Sequence, residues 1–169
     1  MLEPSWLSIA RAELGVKEVP GKPANDLILR YWKEVGLSAV AGESDEVAWC
    51  AAFAGFCLSR AKLSHTGKAN ARSYESYGRA LRTPCLGAIV VLSRPPSAWQ
   101  GHVGFYLGTD KEKRRIRLLG GNQGDAVTIA DFSLDRVVAY RWPSDQPIHA
   151  DWVGAIPFKA GAQAEVKTA

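Results

Sequence analysis

No run in this 169-residue chain approaches the roughly 18 consecutive apolar residues that a bilayer-spanning helix needs, so the sequence argues against a membrane span. The opening MLEPSWLSIARAEL carries acids where an export signal would need a basic region and an apolar stretch, and no cleavable leader is expected. Cysteine is scarce. Cys50, Cys57 and Cys85 are odd in number and separated by 7 and 28 positions, which fits neither a disulfide framework nor a C-x-x-C zinc pattern. At least one thiol is expected to be free, and synthesis in the cytoplasm would leave all three reduced. Internal repeats and low-complexity blocks are absent. A strong charge bias is also missing: 21 Lys and Arg face 17 Asp and Glu, for a net charge of +4. That favours polyanionic surroundings such as nucleic acid, anionic lipid or an anionic cell wall without choosing among them, but the basic residues are scattered, and the densest group, Lys111 to Arg117, is broken by Glu112 and Ile116. It reads as a solvated hairpin, and no nucleic-acid partner is expected.

What is present is ordinary globular composition, 47% hydrophobic and 22% charged, in a length that suits one packed domain. Four segments have helical spacing: WLSIARAEL, ended by Gly15; NDLILRYWKEVG, capped by Asn25 and ended by Gly36; AWCAAFAGFCLSRAKL; and, more weakly, ARSYESYGRAL. Five short β-branched or aromatic runs follow, GAIVVLS, HVGFYLG, RIRLLGG, AVTIADFS and VVAYRW, punctuated by Gly, Pro, Asn and Asp. Helices segregated from strands argue for an α+β fold with a mostly antiparallel sheet. The domain is placed at residues 1–143, and residues 144–169 read as a partly docked tail.

Cys50 falls at the start of the third helix, behind an acidic segment with Ser44, Asp45 and Glu46. Unpaired N–H groups and the helix dipole there would lower a thiol pKa and could hold an oxyanion. Taken alone, Cys50 reads more readily as a small buried apolar residue, the usual fate of a lone Cys on an apolar helix. His102 opens HVGFYLG directly after the loop RPPSAWQG, where a strand start would hold an imidazole at a groove, or simply carry a polar surface residue. His65 and His149, in a polar loop and in the tail, lack comparable placement. Asn122 in LLGGNQGDAV could accept the second N–H of His102 and fix its tautomer, or be no more than a turn residue with positive φ. Trp49 and Trp99 flank the two reactive positions and could line a substrate groove, although core packing suits at least one of them. Gln123 could contact substrate or extend the turn. Glu43, Asp45 and Glu46 lack calcium-loop spacing, and neither a metal nor a cofactor is expected. Cys57, seven positions after Cys50, reads as structural.

Taken together, AWCAAF, GHVGFYLG and LLGGNQGDAV, in that order, resemble the Cys, His and polar-residue motifs of the CHAP and NlpC/P60 superfamily of papain-like cysteine peptidases and amidases. The opening PSWLSIARAELGVKEVPG and the ARSY segment extend the resemblance, over roughly residues 4–143, to a CHAP-like family of phage lysins and wall hydrolases. The resemblance implies a papain-like fold, a nucleophile at Cys50, a base at His102, an orienting residue at Asn122 and peptidoglycan as substrate. The scissile bond, in an amidase or an endopeptidase, stays open. The chain departs from many NlpC/P60 enzymes in having Asn122 as the third residue and Trp49, not Asp, before Cys50, and from its length no separate wall-binding module is expected. The implied setting is a monomer made in the cytoplasm that reaches the wall by holin-dependent release, as a phage endolysin would. An antibacterial effector would instead use a secretion apparatus and be countered by an immunity protein. An acyltransferase or transglutaminase-like enzyme on the same scaffold would use the same thiolate and deliver the acyl group to an amine.

Overall fold

Apolar residues at helical spacing build three α-helices in the first 60 residues of the structure, a computed structural model that describes residues 2–19, 25–40 and 48–160. Helix α1 (Ser5–Ala12) starts behind Pro4, whose carbonyl accepts the Leu7 and Ser8 N–H groups, and it buries Trp6, Leu7 and Ala10. Helix α2 (Asp26–Glu34) is capped by the Asn25 side chain, which accepts from Leu27 N–H at 2.9 Å, and buries Ile28, Tyr31 and Trp32. Helix α3 (Cys50–Arg60) is buried continuously from Cys50 to Leu58. The acidic segment expected to cap it lies outside the described residues, as does the tail beyond residue 160.

The fourth helix takes a different form. Residues Ala71–Ser76 are a 3-10 helix, because Ala71, Tyr74 and Tyr77 recur every third position and all three are buried. It ends at Gly78, held at φ +55 with the Trp142 carbonyl against its Cα, where any side chain would collide with backbone.

Six antiparallel strands follow in the order β1-β6-β2-β3-β4-β5: β1 (Arg79–Ala80), β2 (Ile89–Arg94), β3 (Ser97–Asp110), β4 (Arg115–Gly120), β5 (Thr128–Ser133) and β6 (Val137–Trp142). The α+β class with an antiparallel sheet is as the segregated pattern implied. The two-residue β1 gave no periodic signal. Strand β3 begins five residues before the expected His102 start, because only Pro95 and Pro96 separate it from β2 and the supposed loop continues the hairpin.

Two features of this frame position the site. The turn after α1 pairs with the β4–β5 connection through Gly15 N–H to Val127 O, Val127 N–H to Val16 O and Glu18 N–H to Asp125 O. That pins the loop carrying Asn122 and Gln123. In the same loop, Gly121 lies against the first turn of α3: a Cβ there would sit 2.6 Å from Phe53 Cβ and 2.7 Å from the Trp49 ring. Gly121→Ala is therefore expected to cost about 1–3 kcal/mol in chemical denaturation, as overpacking does. An unchanged midpoint would mean that the close approach is not maintained.

The segment after β6 docks along the sheet. Trp152 Nε1 donates to Leu2 O at 2.9 Å, Pro157 bridges Thr109, Ala160 N–H donates to Asp110 Oδ2 at 2.7 Å, and Phe158 lies under the Arg117 guanidinium at 4.1 Å.

Candidate active site

Cys50 is the first residue of α3, and the preceding Trp49 fixes its position. The Trp49 ring is fully buried against Tyr31, its centroid 5.9 Å away, and its Nε1 donates to Glu18 at 2.7 Å. Trp49 is thus an anchor for the helix start, and the groove-lining role expected for it is corrected by its burial. The backbone N–H groups of Val103, Ala51 and Cys50 itself lie close enough to the Cys50 sulfur to favour its thiolate. Pairing between β3 and β4 begins only at Phe105 and Leu119, so Val103 lies beyond the end of that ladder. This contact brings the thiol to the backbone of the residue that follows His102.

The expected lowering of the thiol pKa does not follow. Burial pushes Cys50 up, and outweighs the three N–H groups and the nearby Arg94 that pull it down. The resting group is a thiol.

His102 is buried within β3, its ring against Phe132 at 5.3 Å. Its Nε2 lies 2.9 Å from Gln123 Oε1. The amide orientation follows from the other contacts, because Gln123 Nε2 faces the carbonyls of Thr128 at 2.8 Å and Leu118 at 3.3 Å and must be the donor there. Oε1 therefore accepts from His102 Nε2–H, and the lone pair is left on Nδ1, the nitrogen available to take a thiol proton. Gly104 and Gly120 make the slot for this amide: Cβ atoms on them would lie 3.4 and 2.6 Å from Oε1.

Gln123, and not Asn122, is therefore the residue that orients the histidine. Asn122 is buried at φ +58 with neither side-chain polar atom hydrogen-bonded, and its expected role is corrected accordingly. Gln123 is also fully buried, which removes it from substrate contact. Its longer side chain reaches across the slot to the imidazole.

Burial above all, against the Gln123 hydrogen bond and with help from Arg136 and Arg94, brings the His102 pKa down from 6.5 to about 4. The unfolded chain thus takes up this proton first. The stability due to His102 is complete above about pH 6.5 and is lost as pH falls toward 4, by up to about 3 kcal/mol. Melting temperatures measured over this range are expected to fall less steeply for His102→Gln than for the unaltered chain. Equal slopes would contradict a buried neutral imidazole.

A cleft of about 210 Å³ opens over Cys50, lined also by Ala48, Asn70, Arg94, Trp99 and Gln100. Its wall is a bulge in β3: Arg94 pairs with Ser97 and Ser93 with Gly101, so Ala98, Trp99 and Gln100 loop outward. Trp99 is 71% exposed as a result, placed as a groove residue should be. Arg72 holds the bulge from beneath: its Nη1 contacts Gln100 O, its ion pair with Glu75 fixes the head, and its stem lies against Gly101.

The arrangement is a buried thiol that lines an open cleft and, on the residue before the Val103 backbone that the thiol meets, a buried neutral imidazole oriented by Gln123. Attack on a carbonyl can proceed as the proton moves from sulfur to Nδ1, so that charge develops only when substrate arrives. Among the described residues no group of three or more His, Cys, Asp or Glu is placed to hold a metal ion, and no helix is long and apolar enough to cross a membrane. Cys57 and Cys85 are buried away from the cleft lining. No family model, curated protein or solved structure matches this chain, and the site is read from its own residues.

Proposed function

We propose that this protein is a cysteine hydrolase of papain-like architecture that cleaves an amide bond in the peptide part of peptidoglycan. The observation that carries the reading is a Cys50 thiol that lines the Trp99 cleft and lies against the backbone of Val103, the residue that follows the Gln123-held His102. Cys50 Sγ attacks the amide carbonyl while His102 Nδ1 takes its proton. The tetrahedral oxyanion is stabilised by backbone N–H groups at the start of α3, that of Cys50 among them. His102 returns the proton to the leaving amine, giving a thioester, and a water activated by the same imidazole releases the acid and regenerates the thiol. On this reading the enzyme works at the bacterial wall in the manner of a phage lysin.

Digestion of purified sacculi tests the proposal: soluble peptides with one new amine and one new carboxylate per cut are expected. Newly linked species in place of free carboxylates would make the enzyme a transferase and overturn it. Trp99 supplies an exposed aromatic wall, so Trp99→Ala is expected to raise KM for soluble wall fragments about tenfold, since an aromatic contact is worth about 1 kcal/mol or more, with kcat and Tm little changed. An unaltered KM would remove Trp99 from the binding surface.

A further inference from the structure

The cleft over the thiol holds one charged side chain that the reaction above does not use. Arg94, the last residue of β2, lines it beside Cys50, Trp99 and Gln100 and is half-buried. The other lining side chains are neutral. Among the described residues no carboxylate lies within ion-pair distance of Arg94, whereas its neighbour Arg72 is matched by Glu75. The positive charge reaches the reacting groups, since it acts on both the Cys50 thiol and the His102 imidazole. A guanidinium drawn partly out of water with no counter-charge among the described residues favours an anionic ligand, and its planar fork matches a carboxylate through two parallel hydrogen bonds. The exposed Trp99 ring on the same cleft would shield such a pair from water and strengthen it.

We infer that Arg94 is a specificity-determining residue that receives a free carboxylate of the substrate peptide and so seats the neighbouring amide carbonyl over Cys50. This rests on the peptidoglycan reading and narrows it: the bond cleaved lies next to an unamidated carboxyl group. The contact is made in the bound ground state as well as in the transition state, so its loss raises KM more than it lowers kcat.

The test uses the full chain carrying Cys50→Ala, so that nothing is consumed, and two probes: a soluble stem-peptide fragment released from sacculi, and the same fragment with its carboxylates converted to methylamides. Calorimetry is expected to show the free-acid fragment binding at least about tenfold more tightly, the preference shrinking below about twofold when Arg94→Gln is added and returning in part with Arg94→Lys. The preference should weaken as salt rises. Equal binding of the two probes, a preference that survives Arg94→Gln, or no binding of the free-acid fragment would overturn the inference. Inorganic phosphate competing more strongly than acetate would do so as well, by reassigning the site to phosphate polyanions. The two readings fail separately: a chain that binds as stated but cleaves no wall refutes the hydrolase alone, and a chain that cleaves native and amidated walls with equal kcat/KM refutes the role of Arg94 alone.

Discussion

Cys50→Ala is expected to lower the rate of soluble peptide release from sacculi by at least about a thousandfold, the scale on which loss of a nucleophile abolishes covalent catalysis. The fold should survive the change. The substitution removes one sulfur at the edge of a cleft, where the cavity left is open to solvent, and helix α3 keeps its neighbours Ala51 to Leu58. A melting temperature within a few degrees of the unaltered chain is therefore expected alongside the lost activity. Cys57→Ala and Cys85→Ala are the controls, since neither residue lines the cleft, and both should retain turnover. A Cys50→Ala protein that still released peptides would end the account, because no other thiol in the cleft could replace it.

The second large effect belongs to Gln123. Replacing it with Leu keeps most of the volume but leaves the buried His102 Nε2–H without its acceptor and takes a donor from the carbonyls of Thr128 and Leu118. An orphaned buried group costs about 1–3 kcal/mol, so a loss of about 2 kcal/mol or more in urea denaturation is expected. Activity should drop by about a hundredfold or more even at temperatures where the variant is folded, since the imidazole is then free to turn or to take the wrong tautomer. Asn122→Gly provides the contrast. It relieves a non-glycine residue at φ +58 and removes two buried unpartnered polar atoms, so stability should hold or rise by about 1 kcal/mol. Turnover should stay within a few-fold. The reverse outcome, an inactive Asn122→Gly with a competent Gln123→Leu, would return the orienting role to Asn122.

This pair of neighbours shows where reading the chain succeeds and stops. The motif LLGGNQ marks a polar residue able to reach His102, and the order of Cys50, His102 and this turn marks the site. Which of Asn122 and Gln123 makes the bond depends on a slot formed by Gly104 on β3 and Gly120 on β4, two glycines 16 positions apart whose adjacency is a property of strand register. The helices α1 to α3 and the five longer strands were legible because each repeats apolar residues at its own period. The two-residue β1 is too short to have a period, and the 3-10 helix at Ala71–Ser76 differs from an α-helix only in recurrence every third position. The pKa of Cys50 was misjudged for a related reason. Position at a helix start is written in sequence, whereas burial comes from the tertiary packing, and burial is the larger effect, outweighing even the Val103 N–H that the sheet supplies. Trp49 and Trp99 illustrate the same limit: two tryptophans near reactive positions, one sealed against Tyr31 and Glu18, the other pushed into solvent by the bulge after Ser97. Arg94 left no signal at all, since its significance lies in its place on the cleft and in the lack of a paired carboxylate among the described residues.

The central claim is that water, acting through a Cys50 thioester, cuts an amide bond in the wall peptide. Mass spectrometry of peptides released from sacculi digested in H₂¹⁸O tests it most directly. The account predicts fragments that each carry one new amine and one new carboxylate holding a single ¹⁸O, from the unaltered chain and not from Cys50→Ala. The same labelled fragments appearing with Cys50→Ala, or none appearing with the unaltered chain, would contradict it.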